Sequence, residues 1–381
     1  MDMAEPITVV FSRLRDPRAD RGRRHLLVDI LTIAVLAVLC GGDSFTDMED
    51  FGVAREPWLK AFLKLPHGIP SADTFAAVFA AIDPLQFEAC FRAWTVSVAG
   101  EIIGILAVDG KTLRGSGDTA TGRSPVHLVS AWAADNGVVF GQLATNEKSN
   151  EITAIPELLR AFKLKGLIVT IDAMGCQKQI AQQITEQGGE YLLRVKDNQA
   201  VLHEDIAGLF DWGQPRNYDG MQHAVSEQTD KGHGRVETRK VDALWDLRQI
   251  RNASQWAGLK CVVRVQCTRT VQKSGVTTKE THYYISSMNT KKSVELGRAA
   301  RGHWGVENGL HWCLDVNFGE DLNQTRAKNA AQNLSRLKRL VLNLLKLDTS
   351  KNISMRRKRF VASLDVTYLT RLLSQLAALP A

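Results

Sequence analysis

Two aspartates stand where apolar, strand-like runs end: Asp109 in "IGILAVDGKTLRGSG" (102–116) and Asp172 in "GLIVTIDAMGC" (166–176). At the exits of neighbouring strands their carboxylates would face each other across roughly 5 Å. Unpaired carboxylates that close repel and raise one another's pKa, and a divalent cation between them removes the conflict. Oxygen donors select a hard ion, so Mg2+ is expected, with Mn2+ as its substitute. The third acidic ligand is expected from "RGHWGVENGLHWCLD" (301–315), where His303, Glu307, His311 and Asp315 recur every four residues and share one slowly drifting helix face. Glu307 is the expected ligand and Asp315 its rival. Such a trio holds two ions that activate a water or a 3′-hydroxyl and stabilise the leaving oxygen during in-line attack on a phosphodiester. The plainer alternatives are turn or capping carboxylates at the strand ends and an ordinary exposed glutamate on the helix.

Basic residues cluster around these positions. Lys111 and Arg114 follow Asp109 closely, a placement that suits phosphate contact or pairing with a carboxylate. Lys196, Asn198 and Gln199 end another strand-like run, where they touch DNA or form the turn, and His233 and Arg235 in "KGHGR" offer a loop-tip contact. Trp304 and Trp312 are expected to pack the helix against a core rather than stack on bases. The whole chain of 381 residues carries a formal charge of +7, which favours an anionic partner. "RLKRLVLNLLK" and "SMRRKRF" near the C-terminus read as a phosphate-tracking patch or a solvated helix face. The N-terminal arginines (Arg13, Arg15, Arg18, Arg21, Arg23, Arg24) read the same way, without a helix-turn-helix signature.

The elements that must position these residues follow from periodicity. Residues 1–98 read as a small all-α domain: a helix over Leu26–Leu39 ended by Gly41-Gly42, and a second after Ser71 or Asp73 that stops at Pro84. The first of these is apolar, but Asp29 interrupts it and it is too short to span a bilayer, so a buried helix is expected. After Gly100 the texture turns α/β. Three strands (the second and third joined through Asn136-Gly137), a helix, the Asp172 strand, a helix and "EYLLRVK" follow in the order of a ribonuclease-H-like fold. A mostly β insertion is expected over about 200–290, then helices from Ser293 and a basic helical tail over 348–381. The six cysteines show no metal-ligand spacing and read as reduced thiols of a cytoplasmic protein.

"AVDGK", "IDAMGCQ", "LLRVKDNQ", "GHGRVETR" and "HWGVENGLHWCLDVNFGED" resemble the DDE transposases of bacterial insertion sequences, specifically the H-repeat-associated (ISAs-type) group, and the likeness extends through the N-terminal "DPRADRGRRHLLVDIL". The resemblance implies a ribonuclease-H-like DDE domain over 101–347, with a β-rich insertion and a DNA-end-recognising helical domain before it. It makes Asp109, Asp172 and Glu307 the catalytic triad, 63 and 135 residues apart. The wider superfamily's Tyr/Arg/Glu/Lys signature is not kept: Ala300 stands near the expected Tyr and His303 near the expected Arg, which shifts phosphate handling to His303, His311 or Arg301. The implied activity is cleavage at terminal inverted repeats and strand transfer into target DNA, without ATP or a membrane, by a homodimer or higher assembly on DNA. A nuclease or resolvase of the same fold, or an inactive DNA-binding descendant, are the alternatives.

Overall fold

The computed structural model describes residues 7–145, 151–232 and 234–376. They fall into two compact units, one of residues 7–102, 110–145 and 307–376 and one of residues 103–109, 151–232 and 234–306. These units cut across the segments 1–98, 101–347 and 348–381 read from the sequence, because the first unit is built from three separate stretches of the chain.

The first unit opens with α1 (Ile7–Ser12), α2 (Leu27–Leu39), α3 (Phe45–Leu59), α4 (Ala72–Ala81) and α5 (Pro84–Ala99). The apolar run is the buried helix α2, and Gly41, at φ +106°, turns the chain where a side chain would be strained. Asp29 is buried within it, accepts a 2.9 Å hydrogen bond from the Leu65 amide, and has its pKa raised by burial. Ser71 caps α4, and Pro84 both ends that segment and begins α5 behind the Asp83 cap. No single helix among the described residues is long and apolar enough to cross a membrane.

β1 (Ile105–Thr112) runs through both units. In the first it is followed by the antiparallel hairpin β2 (His127–Ala133) and β3 (Val138–Thr145), closed at Gly137 with φ +72°. The second unit contains α6 (Glu151–Leu159), β4 (Ile168–Ile171), α7 (Lys178–Glu186), β5 (Glu190–Val195) and α8 (Ala200–Gly213). Four long strands follow, β6 (His223–Gly232), β7 (Arg235–Leu244), β8 (Cys261–Val271) and β9 (Thr277–Ser286), and then α9 (Ser293–Val306). β1, β4 and β5 are parallel neighbours, β9 joins β5 antiparallel, and β8, β7 and β6 extend the sheet outward. The order β3-β2-β1-β4-β5 is that of a ribonuclease-H-like sheet, and the β-rich insertion prolongs it.

Two elements of the insertion differ from expectation. α8 occupies its start, because Leu202, Ile206, Leu209 and Phe210 bury one helical face ahead of the turn-rich stretch. β6 has no apolar alternation and is largely exposed; its register comes from pairing with β7 rather than from its own pattern.

The chain then continues in the first unit through a π-helical turn (Glu307–His311), α10 (Trp312–Phe318), α11 (Ala330–Leu347), α12 (Met355–Leu364) and α13 (Val366–Leu376). The basic C-terminal region is not the solvated or DNA-tracking face expected from its charge. Arg336, Lys338, Arg339, Lys358 and Arg359 are all buried. Arg336 pairs with Glu88 at 2.7 Å and Arg339 with Glu320 at 2.7 Å. Lys338, Lys358 and Arg359 donate to the carbonyls of Phe318, Leu345 and Val38, so three cations close the C-terminal ends of α10, α11 and α2. Arg356 and Arg357 remain exposed.

Candidate active site

The register of β1 and β4 brings the two aspartates together. Val108 pairs with Ile171, so Asp109 and Asp172 are the next residues on adjacent parallel strands and project from the same side of the sheet. β4 and β5 are matched the same way, Ile171 opposite Leu193, which puts Arg194 level with Asp172 on the next strand. Asp109, Asp172 and Arg194 thus form a row across three strands. Arg194 Nη1 lies 3.4 Å and Lys196 Nζ 3.7 Å from Asp172 Oδ1.

Arg194 is held from its far side as well. Its Nη2 donates to His282 Nδ1 on β9 at 2.7 Å, which requires an unprotonated nitrogen there. Burial and then the Arg194 charge push the His282 pKa below the ordinary histidine value, consistent with that neutral ring. Neither Arg194 nor His282 was singled out by the sequence reading. The available signal was an arginine inside the otherwise buried "EYLLRV" strand, where a charge demands a partner.

The loop after Asp172 is braced by residues expected to touch DNA. Asn198 donates to the Ala173 carbonyl at 2.7 Å and Gln199 to the Cys176 carbonyl at 2.9 Å. Both side chains thus tie the turn after β5 to the loop that follows Asp172. Helix α9 covers the face from which the aspartates project. Gly302 permits this approach, since a Cβ there would stand 2.7 Å from Ile105 Cδ1, and His303 Nδ1 meets Thr170 Oγ1 at 3.2 Å. His303 is only 8% exposed. Arg301 bonds Asp230 on β6 at 2.7 Å.

Glu307 is the residue directly after α9 and is exposed. The regular face expected from His303 through Asp315 does not form, because the π-helical turn at Glu307–His311 breaks the four-residue repeat. Gly309 lies in that turn against Trp132, where a Cβ would be 2.8 Å from ring carbon Cζ2. His311 is half-buried. Trp312 is 57% exposed, contrary to the core position expected of it, while Trp304 is half-buried against the His282 ring.

Lys111 is paired with carboxylates. It is 8% exposed, ion-paired to Asp315, and within 3.5 Å of Glu320 and 3.6 Å of Asp321. Asp315 is therefore engaged as a counter-ion, which weakens it as the rival third ligand. Arg114 is largely exposed, 3.6 Å from Asp321. Arg235 is exposed at the β6–β7 tip; His233 lies outside the described residues.

No group of three or more His, Cys, Asp or Glu side chains among the described residues forms a ready metal cage. The paired aspartates nonetheless suit a hard divalent ion: their donors are oxygen, and two cations crowd Asp172 where an ion would otherwise balance its charge. Arg194→Gln is expected to lower stability by about 0.5–1 kcal/mol through the lost, partly exposed contact. Added Mg2+ should restore it. Thermal melts with and without MgCl2 check this; a variant whose deficit is indifferent to the ion would count against the compensation.

Comparison with known proteins places the chain. The model described as Transposase DDE domain matches residues 101–344, and that described as DDE_Tnp_1-associated matches residues 8–95. "Putative transposase YncI" of Escherichia coli O157:H7 is 40% identical over 97% of this chain and 94% of its own length. "H repeat-associated putative transposase YhhI" of Escherichia coli strain K12 is 38% identical over 92% of this chain and 93% of its own. The "Uncharacterized protein in dhlA 3'region" of Xanthobacter autotrophicus is 41% identical over 73% of this chain and 92% of its own. With aspartates paired on β1 and β4 of a ribonuclease-H-like sheet and these matches along nearly its full length, the chain belongs to the DDE transposases, a family of DNA-binding proteins that depend on divalent metal ions.

Proposed function

We propose that this protein cleaves DNA at the ends of an insertion sequence and joins the exposed 3′-hydroxyls to target DNA, with Asp109, Asp172 and Glu307 as the ligands of two Mg2+ ions that Mn2+ can replace. The observation that carries the reading is the in-register placement of Asp109 and Asp172 in a DDE transposase chain. When bound, such ions supply an activated water or hydroxyl and stabilise the leaving oxygen. The chain's own part is to hold oxygen donors at fixed strand ends. Glu307 follows α9 directly in the chain, and the braces from Asn198 and Gln199 hold the Asp172 loop. Each step hydrolyses or exchanges one phosphodiester, so no nucleotide cofactor is needed.

Among the proposed phosphate contacts, Lys196, Arg114, Arg235, Arg301 and Asn198 are exposed, although Arg301 pairs with Asp230 and Asn198 donates to the Ala173 carbonyl; Lys111 and His303 are buried, and Gln199 donates to the Cys176 carbonyl. The helical N-terminal segment, with exposed Arg21 and Arg24, is the proposed reader of the terminal inverted repeats. Two ends must be held together for joining, so the working form is a dimer or larger assembly on DNA, acting beside the nucleoid in the cytoplasm.

The test is cleavage and strand transfer on duplex DNA from the flanks of the gene with Mg2+ or Mn2+. Joined products support the reading. Cleavage without joining on several targets points to a nuclease or resolvase, and binding with neither, by folded and metal-loaded protein, points to an inactive DNA-binding descendant.

A further inference from the structure

α10 and the π-helical turn before it bury one side and leave another bare. Leu310, Leu314 and Phe318, four residues apart, are fully buried, whereas Trp312 and Val316 are each 57% exposed. An exposed tryptophan is the costliest apolar side chain to leave in water, and nothing on its own helix shields it. The π-helical turn decides where it points. In a turn closed by i→i+5 hydrogen bonds, residues five apart come to the same side, so Glu307 and Trp312 are brought toward a common exposed face instead of diverging as they would in an α-helix. Five helical residues rise at most about 7.5 Å, or about two base steps of a DNA strand.

We infer that Trp312 is a stacking platform for an unstacked DNA base next to the cleaved phosphodiester. This rests on the proposed role of Glu307. A strand whose scissile phosphate meets Glu307 carries its neighbouring bases within reach of the indole, and every base offers a π-face that an indole can cover regardless of sequence. The aromatic ring accounts for what a basic side chain in that position would not: it holds a base, while the phosphates are left to the cations. Val316, one turn on, extends the apolar strip along which the base edge or sugar rests.

The experiment is fluorescence-anisotropy binding of full-length protein to an element-end duplex, intact or with an abasic nucleotide on either side of the cleavage position. Wild type, Trp312→Phe and Trp312→Ala are compared, and wild-type cleavage in Mg2+ is run in parallel. Trp312→Ala is expected to weaken binding to the intact duplex about tenfold and Trp312→Phe much less. Trp312→Ala should make no further difference on the abasic duplex that wild type already binds weakly. An equal loss on intact and abasic duplexes, or none on either, overturns the inference while wild-type cleavage leaves the proposed function standing. Wild type that folds but neither binds nor cleaves the duplex overturns both. Conversion of a DNA-free dimer to a monomer by Trp312→Ala, seen by sedimentation, would instead assign the face to a second copy of the chain and overturn stacking.

Discussion

Asp172→Asn is expected to reduce metal-dependent DNA cleavage by about a thousandfold or more and to leave duplex binding near wild type. Metal-ion stabilisation of a phosphoryl transition state is worth several kcal/mol, and each 1.36 kcal/mol is a factor of ten. An amide keeps the size of the side chain but removes the charge that would hold an ion. The residue follows a strand whose pairing belongs to the backbone, so the sheet keeps its ladder when the charge goes and only the partly exposed contacts with Arg194 and Lys196 are weakened. Asp109→Asn should behave alike, and the double variant should be little worse than either single one, because residues that act as a unit are not additive. Cleavage rates in Mg2+ and Mn2+, with anisotropy measurements of binding, check this. Cleavage within tenfold of wild type in either single variant would remove that aspartate from the site.

The largest effect on stability is expected at Glu320. It is 3% exposed, accepts from Arg339 at 2.7 Å and from Ser335 at 2.7 Å, and faces Lys111 at 3.5 Å. Removing one member of a buried ion pair leaves the other charged and dry, a cost of about 3–5 kcal/mol, so Glu320→Ala should lose that much. Burial by itself would raise the carboxyl's pKa, but Arg339 and then Lys111 more than offset it and hold it at about 2, against an ordinary value of 4.5. Since the folded value lies below the unfolded one, this contribution is complete above about pH 4.5 and is lost as pH falls toward 2. Urea midpoints of wild type should therefore drop over that interval, and those of Glu320→Gln should start lower and fall less. A variant with the full wild-type acid dependence would refute the assignment to Glu320.

Several cations that look alike in sequence have opposite fates. Arg114, Arg235, Arg356 and Arg357 are exposed, whereas Lys111, Arg336, Arg339, Lys358 and Arg359 are buried against carboxylates and helix-end carbonyls. Spacing cannot distinguish them. The partners lie far away along the chain: Glu88 for Arg336, 248 residues apart, and Val38 for Arg359, 321 apart. The same limit hid Arg194, whose partners Asp172 and His282 come from two other strands.

What the sequence by itself determined about this protein is the part written in local pattern. Apolar runs set β1, β4 and β5, Ser71 and Pro84 bound their helix, and the order of elements implied the β3-β2-β1-β4-β5 sheet that aligns Asp109 with Asp172. Strand pairing is periodic, so two residues each one past a buried run come level without any long-range information beyond the order of strands. Tertiary structure alone decided the rest. It rotated the helix after Glu307 through a π-turn whose Gly309 lies against Trp132, left Trp312 in solvent, and turned a basic C-terminal sequence into a buried ionic core. Those outcomes depend on which surfaces meet and exclude water, and the free energy of a charge or an indole is fixed by that environment rather than by its neighbours in the chain.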